Sequence, residues 1–180
     1  MINSIKEEAN KLLNDYGLLN MLEAYGEVHM IGSYRMDAMA WNDLDIYVEN
    51  DRVQLKDIYV LMQKIFSKLQ PKWFEGKEVI KDGYNHYFIG FETDIIGELW
   101  NFDIWFFNKS LIKNTEDYCD NIAKKLHDNP ILYDADINIK QALIKAGCYG
   151  TQFTSVDVYK AVIEDNVINV DDFYNWKNNK

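Results

Sequence analysis

Asp43 and Asp45 are two residues apart in a segment where polar and apolar residues alternate. A period of two predicts a half-buried strand, so both carboxylates point to one face while Leu44, Ile46 and Val48 point to the core. Two carboxylates held side by side repel each other, which raises at least one pKa, and a divalent cation removes the repulsion. Mg²⁺ prefers such oxygen ligands and often bridges to substrate phosphates. On its own, an Asp-x-Asp pair on a strand more often means a solvated face than a metal site.

A Gly32-Ser33 turn precedes this strand, following a short predicted strand at 28–31 and preceding a helical turn at 34–41. Glycine lets the backbone approach a phosphate closely, and Ser33 offers a hydroxyl and an amide. The nine residues between Ser33 and Asp43 allow one helical excursion and a return to a neighbouring strand. This spacing predicts that the turn and the aspartate pair meet at one edge of a sheet.

Asp103 is a third carboxylate of interest, because the segment around it, 98–107, is largely apolar apart from Asn101 and Asp103. A buried, unpaired charge is costly, so Asp103 needs a partner. A hydrogen bond to the backbone is one explanation, and a role as third metal ligand on an adjacent strand is the other. The Gly-Ser turn and the aspartate pair in the same chain favour the metal ligand. The pattern also predicts a central strand that is covered on both faces.

The order hydrophobic-Gly-Ser, spacer, Asp-hydrophobic-Asp-hydrophobic resembles the nucleotidyltransferase superfamily typified by DNA polymerase beta. Residues 31–33 and 43–46 carry the resemblance, Asp103 fits the superfamily's third carboxylate, and the likeness covers roughly 27–107. The chain is most similar to small stand-alone members, which include antibiotic-modifying enzymes. It departs from the pattern in having no glycine in the spacer and Asn42, rather than serine, before the first aspartate.

The resemblance implies transfer of a nucleoside monophosphate from a nucleoside triphosphate to an acceptor hydroxyl, with release of pyrophosphate. In that chemistry two Mg²⁺ ions clamp the attacking and leaving oxygens. By the resemblance, Asp43 and Asp45 are expected to hold both ions. Asp103 is expected to hold the ion that activates the acceptor and to take its proton.

Gly32-Ser33 is expected, by the same resemblance, to hold the β- and γ-phosphates. Arg35 and Lys140 are further candidates for phosphate contacts, with a solvated residue on a helix as the alternative for each. Tyr149 and Tyr159 could stack on a base, although aromatic residues at helical spacing more often belong to the core.

The net charge of −10 and pI near 4.7 argue against binding nucleic acid, since its phosphates would be repelled. We therefore expect a small-molecule acceptor, and the acidic surface is compatible with a cationic one. Two alternatives stay open: a minimal nucleotidyltransferase that acts on a protein partner, and a catalytically silent protein that binds nucleotide or a partner.

The order of elements predicts an α+β fold, a small mixed sheet backed by helices with a C-terminal helical unit. We assign the catalytic core to 1–108 and the helical unit to 109–180. Asp82-Gly83 predicts a hairpin between strands at 78–81 and 84–91. Helices are expected at 53–68, 116–127, 135–146, 154–164 and 170–177.

Cys119 and Cys148 are too few for a disulfide framework. The charged first residues do not resemble a signal peptide, and no apolar run is long enough for a membrane span. These features predict a cytoplasmic protein with reduced thiols and leave the oligomeric state open.

Overall fold

A computed structural model describes residues 2–81, 84–95 and 97–179, so the expected Asp82-Gly83 turn lies outside the described residues. The strands are β1 (Glu27–Met30), β2 (Asp43–Glu49), β3 (Trp73–Lys81), β4 (Tyr84–Ile95) and β5 (Glu98–Phe107). The helices are α1 (Ile2–Asn14), α2 (Leu18–Glu23), α3 (Gly32–Arg35), α4 (Leu55–Leu69), α5 (Lys109–His127), α6 (Pro130–Lys145), α7 (Ser155–Tyr159) with a π-helical continuation (Lys160–Glu164), and α8 (Val170–Asn178).

The strands form one five-stranded mixed sheet in the order β1-β2-β5-β4-β3. β2 and β5 run parallel, and the other neighbours are antiparallel. The expected α+β fold, a small mixed sheet backed by helices, is confirmed. The parallel pairing of β2 with β5 matters most for the site, because both strands carry aspartates.

One face of the sheet is sealed by the first, second and fourth helices. Leu44, Ile46 and Val48 are fully buried there, as the alternation in β2 predicts. On β5 the matching residues are Trp100, Phe102, Ile104 and Phe106, all buried.

The other face of β5 is more open than the sequence suggests. Coverage of both faces was expected, but Asn101, Asp103 and Trp105 are only half-buried. The expectation fails because Asn101 and Asp103 line a cleft on this face, whereas their sequence neighbour Phe102 lies in the core on the other face.

A second core joins α5, α6, α7 and α8 to the segment after β1. Two of the helices begin earlier than expected, since Asn108 and Asn129 cap their first turns by accepting hydrogen bonds from Leu111 and Ile131 amides. The helical turn expected at 34–41 instead covers Gly32–Arg35, so the Gly-Ser pair forms its first turn. Asp37, at a φ of 54°, ends that helical path.

Both cysteines are buried and free. Within the described ranges, every helix is too short or too polar to cross a lipid bilayer.

The sheet core makes a direct prediction for stability. Phe102 is fully buried and stacks on Phe91, with 4.6 Å between ring centroids. Replacing Phe102 with alanine should lower the free energy of unfolding by about 3–5 kcal/mol, because the cavity left behind adds to the lost burial. Leu99→Ala, at an exposed position on the same strand, should change it by less than about 1 kcal/mol. Urea denaturation of both variants checks this, and equal losses would contradict the assigned burial.

Candidate functional site

The three aspartates are brought together by the register between β2 and β5. Asp45 pairs directly with Asp103, and Asp43 pairs with Asn101. Neighbouring strands lie about 4.8 Å apart, and paired residues on parallel strands point to the same face. The carboxylates therefore crowd onto the half-open face of the sheet, opposite the sealed core.

Asn101 fixes the orientation of one of them. Its Nδ2 donates a hydrogen bond to Oδ1 of Asp43 over 2.7 Å. This bond favours the charged form of Asp43 and leaves Oδ2 without that partner.

The crowding and burial change the acidity of the whole group. Burial, aided by the charge of Asp45, raises the pKa of Asp43 to about 8. Burial, aided by the charge of Asp103, raises the pKa of Asp45 to about 6. Burial also raises the pKa of Asp103, against the effects of the Asn101 hydrogen bond and the Lys77 charge. The site therefore disfavours three negative charges in the absence of a cation.

Gly32 lies directly against the aspartate pair. Its φ of 59° falls in the left-handed region, and a Cβ placed on it would lie 2.0 Å from Oδ2 of Asp45. The amide of Ile31 also donates to the backbone oxygen of Asp45 over 3.0 Å. A side chain at position 32 is therefore excluded by both backbone conformation and contact. The turn and the pair meet, as their spacing predicts.

A cavity of about 550 Å³ opens in front of the aspartates, between the sheet and the loop leading to α7. Among the described residues, Gly32 and Ser33 do not line it. Its walls are formed by Trp41, Asp43, Asp45, Trp73, Glu92, Asn101, Asp103, Tyr149, Gly150, Thr154 and Ser155.

Arg35 and Lys140, the two basic candidates for phosphate contacts, do not line this cavity either. Arg35 donates through Nε and Nη2 to Asp120 and through Nη1 to Glu116, all within 2.9 Å. Lys140 is almost fully buried, where its Nζ donates to Asp136 over 2.6 Å and to the hydroxyl of Tyr159 over 2.9 Å. A solvated position on a helix was the alternative for Lys140 in the sequence. That alternative is wrong, because Lys140 lies on the side of α6 that packs into the helical core.

Several solved structures have a similar architecture. The Cid1 poly(U) polymerase, solved with Mg 3′-dATP bound, matches with a TM-score of 0.53 and 21% identity over 78% of this chain and 42% of that one. A cytoplasmic RNA terminal U-transferase matches with a TM-score of 0.57 and 18% identity over 88% of this chain and 47% of that one. The non-canonical poly(A) polymerase GLD-2, in complex with GLD-3, matches with a TM-score of 0.50 and 15% identity over 90% of this chain and 56% of that one.

This chain has the nucleotidyltransferase fold. It spans less than half the length of the first two structures, at 42% and 47%. No family model and no curated protein matches the sequence. The fold resemblance suspected from the two motifs is thus confirmed by three-dimensional similarity at low sequence identity.

The donor set of the aspartates fits Mg²⁺. All the candidate ligand atoms are carboxylate oxygens, the hard donors that this ion prefers. Burial, and secondly the charges of the neighbouring aspartates, raise the pKa values of Asp43 and Asp45. Their oxygens do not form a closed cage, since the one group in the described chain with all ligand atoms within 4.8 Å lies elsewhere, at Glu27, His29 and Glu49. An open arrangement leaves positions for substrate oxygens.

Sequence reasoning missed several residues of this site. Asn101 is two residues from Asp103 and shares its strand face. The two-residue period of a strand could therefore have predicted its position. Trp73 and Glu92 pair across β3 and β4, which only the register reveals. Tyr149 was considered for base stacking and does reach the cavity wall, where its ring meets Trp41 edge-on at 6.2 Å.

The raised pKa of Asp43 predicts a pH-dependent stability. Without a metal ion the folded protein holds a proton at Asp43 up to about pH 8, whereas the unfolded chain releases it near 3.8. Stability therefore falls as pH rises between these two values. Asp43→Asn removes the penalty, so in chelator its Tm should exceed the wild-type Tm by more at pH 8 than at pH 4.

Thermal unfolding of both proteins across that range is the measurement. Asp134→Asn, at an exposed position of α6, is the control and should show no such growing difference. A constant gap between Asp43→Asn and wild type would contradict the predicted burial and repulsion.

Proposed function

We propose that the protein is a Mg²⁺-dependent nucleotidyltransferase that transfers a nucleoside monophosphate from a nucleoside triphosphate to a hydroxyl of a small-molecule acceptor. The observation that carries this proposal is the β2–β5 register, which pairs Asp45 with Asp103 on a cavity wall. The nucleotidyltransferase fold supports the reaction class.

Asp43 and Asp45 would hold two Mg²⁺ ions, and Asp103 would hold the one nearer the acceptor. When bound, these ions would neutralise the charge on the triphosphate and on the attacking oxygen. In the reaction the acceptor oxygen bonds to the α-phosphorus. The bond between the α-phosphorus and the oxygen that bridges to the β-phosphorus breaks, and pyrophosphate leaves. A carboxylate oxygen of Asp103 would accept the hydroxyl proton, and the pKa of Asp103, raised by burial, favours that role.

Among the candidate phosphate contacts, Gly32 and Ser33 have the strongest support. Gly32 touches the Asp45 carboxylate, so a phosphate bridging to a metal ion on Asp45 would lie near this turn. Arg35 and Lys140 would first have to leave their acidic partners on α5 and α6. We therefore assign the contacts to the triphosphate to Gly32 and Ser33.

The cavity itself favours a cationic acceptor. Trp41, Trp73 and Tyr149 present aromatic rings, and Glu92 adds a carboxylate beyond the aspartates. Aromatic faces and carboxylates attract ammonium groups, and Glu92 is not one of the three aspartates that would hold the metal ions. The acceptor class best matched to this wall is an amine-bearing molecule with a free hydroxyl.

Transfer to an RNA end is the second candidate. It is favoured by the solved structures of similar fold, which are a poly(U) polymerase, an RNA terminal U-transferase and a poly(A) polymerase. The net charge of −10 opposes it, because RNA binding depends on neutralising phosphates with basic groups. The residues of the site do not give better support to a protein acceptor or to a catalytically silent role.

Turnover tests the proposal. Each nucleoside triphosphate is incubated with Mg²⁺ and one of three acceptors: an aminated sugar, a neutral sugar of similar size, or an oligoribonucleotide. Pyrophosphate release and the mass of the adduct are measured. We expect release with the aminated sugar, and a loss on the order of 10²–10³-fold or more in Asp45→Asn, the scale for removing one group that stabilises transition-state charge.

Asp134→Asn serves again as the matched control and should keep full turnover. Undiminished turnover in Asp45→Asn would overturn the assignment of the site. Extension of the oligoribonucleotide, with no adduct of the aminated sugar, would replace the small-molecule acceptor with RNA.

A further inference from the structure

A second cavity, of about 540 Å³, lies on the same side of β2 as the aspartates but at the opposite end of the strand. Glu49 is four residues beyond Asp45, which corresponds to about 13 Å along a strand. The cavity wall includes Glu27, His29, Glu49 and Glu116. None of these residues takes part in the proposed transfer reaction.

Two carboxylates face each other in this cavity. Glu27 on β1 pairs directly with Glu49 on β2 in the antiparallel register. Like charges directly opposite on neighbouring strands are destabilising unless a cation lies between them. Lys109 is the nearest cation to Glu49, at 3.8 Å, but its side chain is 80% exposed and solvent screens it.

The imidazole of His29 lies beside these two carboxylates, in the arrangement typical of metal-binding histidines. Its Nδ1 lies 3.2 Å from Oε1 of Glu116, so Nδ1–H donates to that carboxylate. The tautomer thus selected leaves a lone pair on Nε2, and a carboxylate in this position orients and strengthens a metal-bound histidine.

Nε2 of His29 is buried and has no hydrogen-bond partner among the described residues. The closest carboxylate oxygen, Oε2 of Glu49, is 3.9 Å away, which is too long for a hydrogen bond. Protonation of Nε2 would therefore leave an unsatisfied donor, and a bare lone pair would face a negative charge. A metal ion between Nε2 and Oε2 would resolve both problems.

We propose that Glu27, His29 and Glu49 bind a divalent transition-metal ion, with Zn²⁺ the best match. Their ligand atoms all lie within 4.8 Å of one another. One imidazole nitrogen with two carboxylate oxygens suits Zn²⁺, with water as a fourth ligand, whereas Mg²⁺ rarely takes nitrogen. The site is therefore chemically distinct from the aspartate group.

Such an ion would strengthen the connection between the sheet and the phosphate turn. Glu116 on α5 contacts His29 and also accepts from Nη1 of Arg35, the last residue of α3. α3 begins with Gly32 and Ser33. A metal ion on His29 would thus hold β1, β2 and α5 together beside the turn, and it should raise the Tm.

The test is calorimetric titration of ZnCl₂ into the full metal-stripped chain, with excess Mg²⁺ present to occupy the aspartates. One Zn²⁺ should bind per wild-type chain and also per Asp43→Asn/Asp45→Asn chain. Glu116→Gln should weaken binding about 10–100-fold, as expected for a residue that supports a ligand. His29→Gln and Glu49→Gln should weaken it more than that.

His127→Gln is the matched control, because it removes an imidazole outside the cluster, and should bind as wild type does. Circular dichroism establishes that each variant is folded, and Glu49→Gln carries the test if His29→Gln does not fold. Absence of zinc binding in wild type, or wild-type affinity in the folded ligand variants, would overturn the proposal. Loss of zinc only in Asp43→Asn/Asp45→Asn would place the ion at the aspartates and overturn it too.

Discussion

The mutual repulsion of Asp43, Asp45 and Asp103 is the constraint on which the proposed site depends. The parallel pairing of β2 with β5 holds them on one face, and burial strengthens their interaction because solvent screens it less. A fold that only had to be stable would gain by replacing them. Their cluster at a cavity wall supports the proposed cation site, because a bound cation would offset the repulsion.

The two faces of the sheet differ: one is packed against helices, and the other is half-open and carries the aspartates. Aromatic and aliphatic side chains seal one face of the sheet against α1, α2 and α4, which fixes the strand register and hence the spacing of the aspartates. The opposite face is left half-open between the sheet and the C-terminal helices. The segment after β1 packs into the helical core, so Gly32 is held against Asp45 by contacts from both cores.

Features set by local pattern were predictable, and features set by tertiary packing were not. The two-residue period of a strand predicted the sheet faces of Asp43, Asp45 and Leu44. The energetic cost of a lone buried charge indicated that Asp103 needs a partner. The partners of Arg35 lie on α5, some eighty residues away, and no local signal connects them. Lys140 follows Asp136 by one helical turn, so their pairing was readable, but burial of both depends on how α6 packs.

The aspartate face is proposed to be a metal-dependent nucleotide site. The most direct test is calorimetric titration of ATP, GTP, CTP and UTP into the protein with and without Mg²⁺, repeated with Asp43→Asn/Asp45→Asn. We expect binding of at least one nucleotide that requires Mg²⁺ and vanishes in the folded double variant. Binding of equal affinity in both proteins, or binding that does not depend on Mg²⁺, would contradict it.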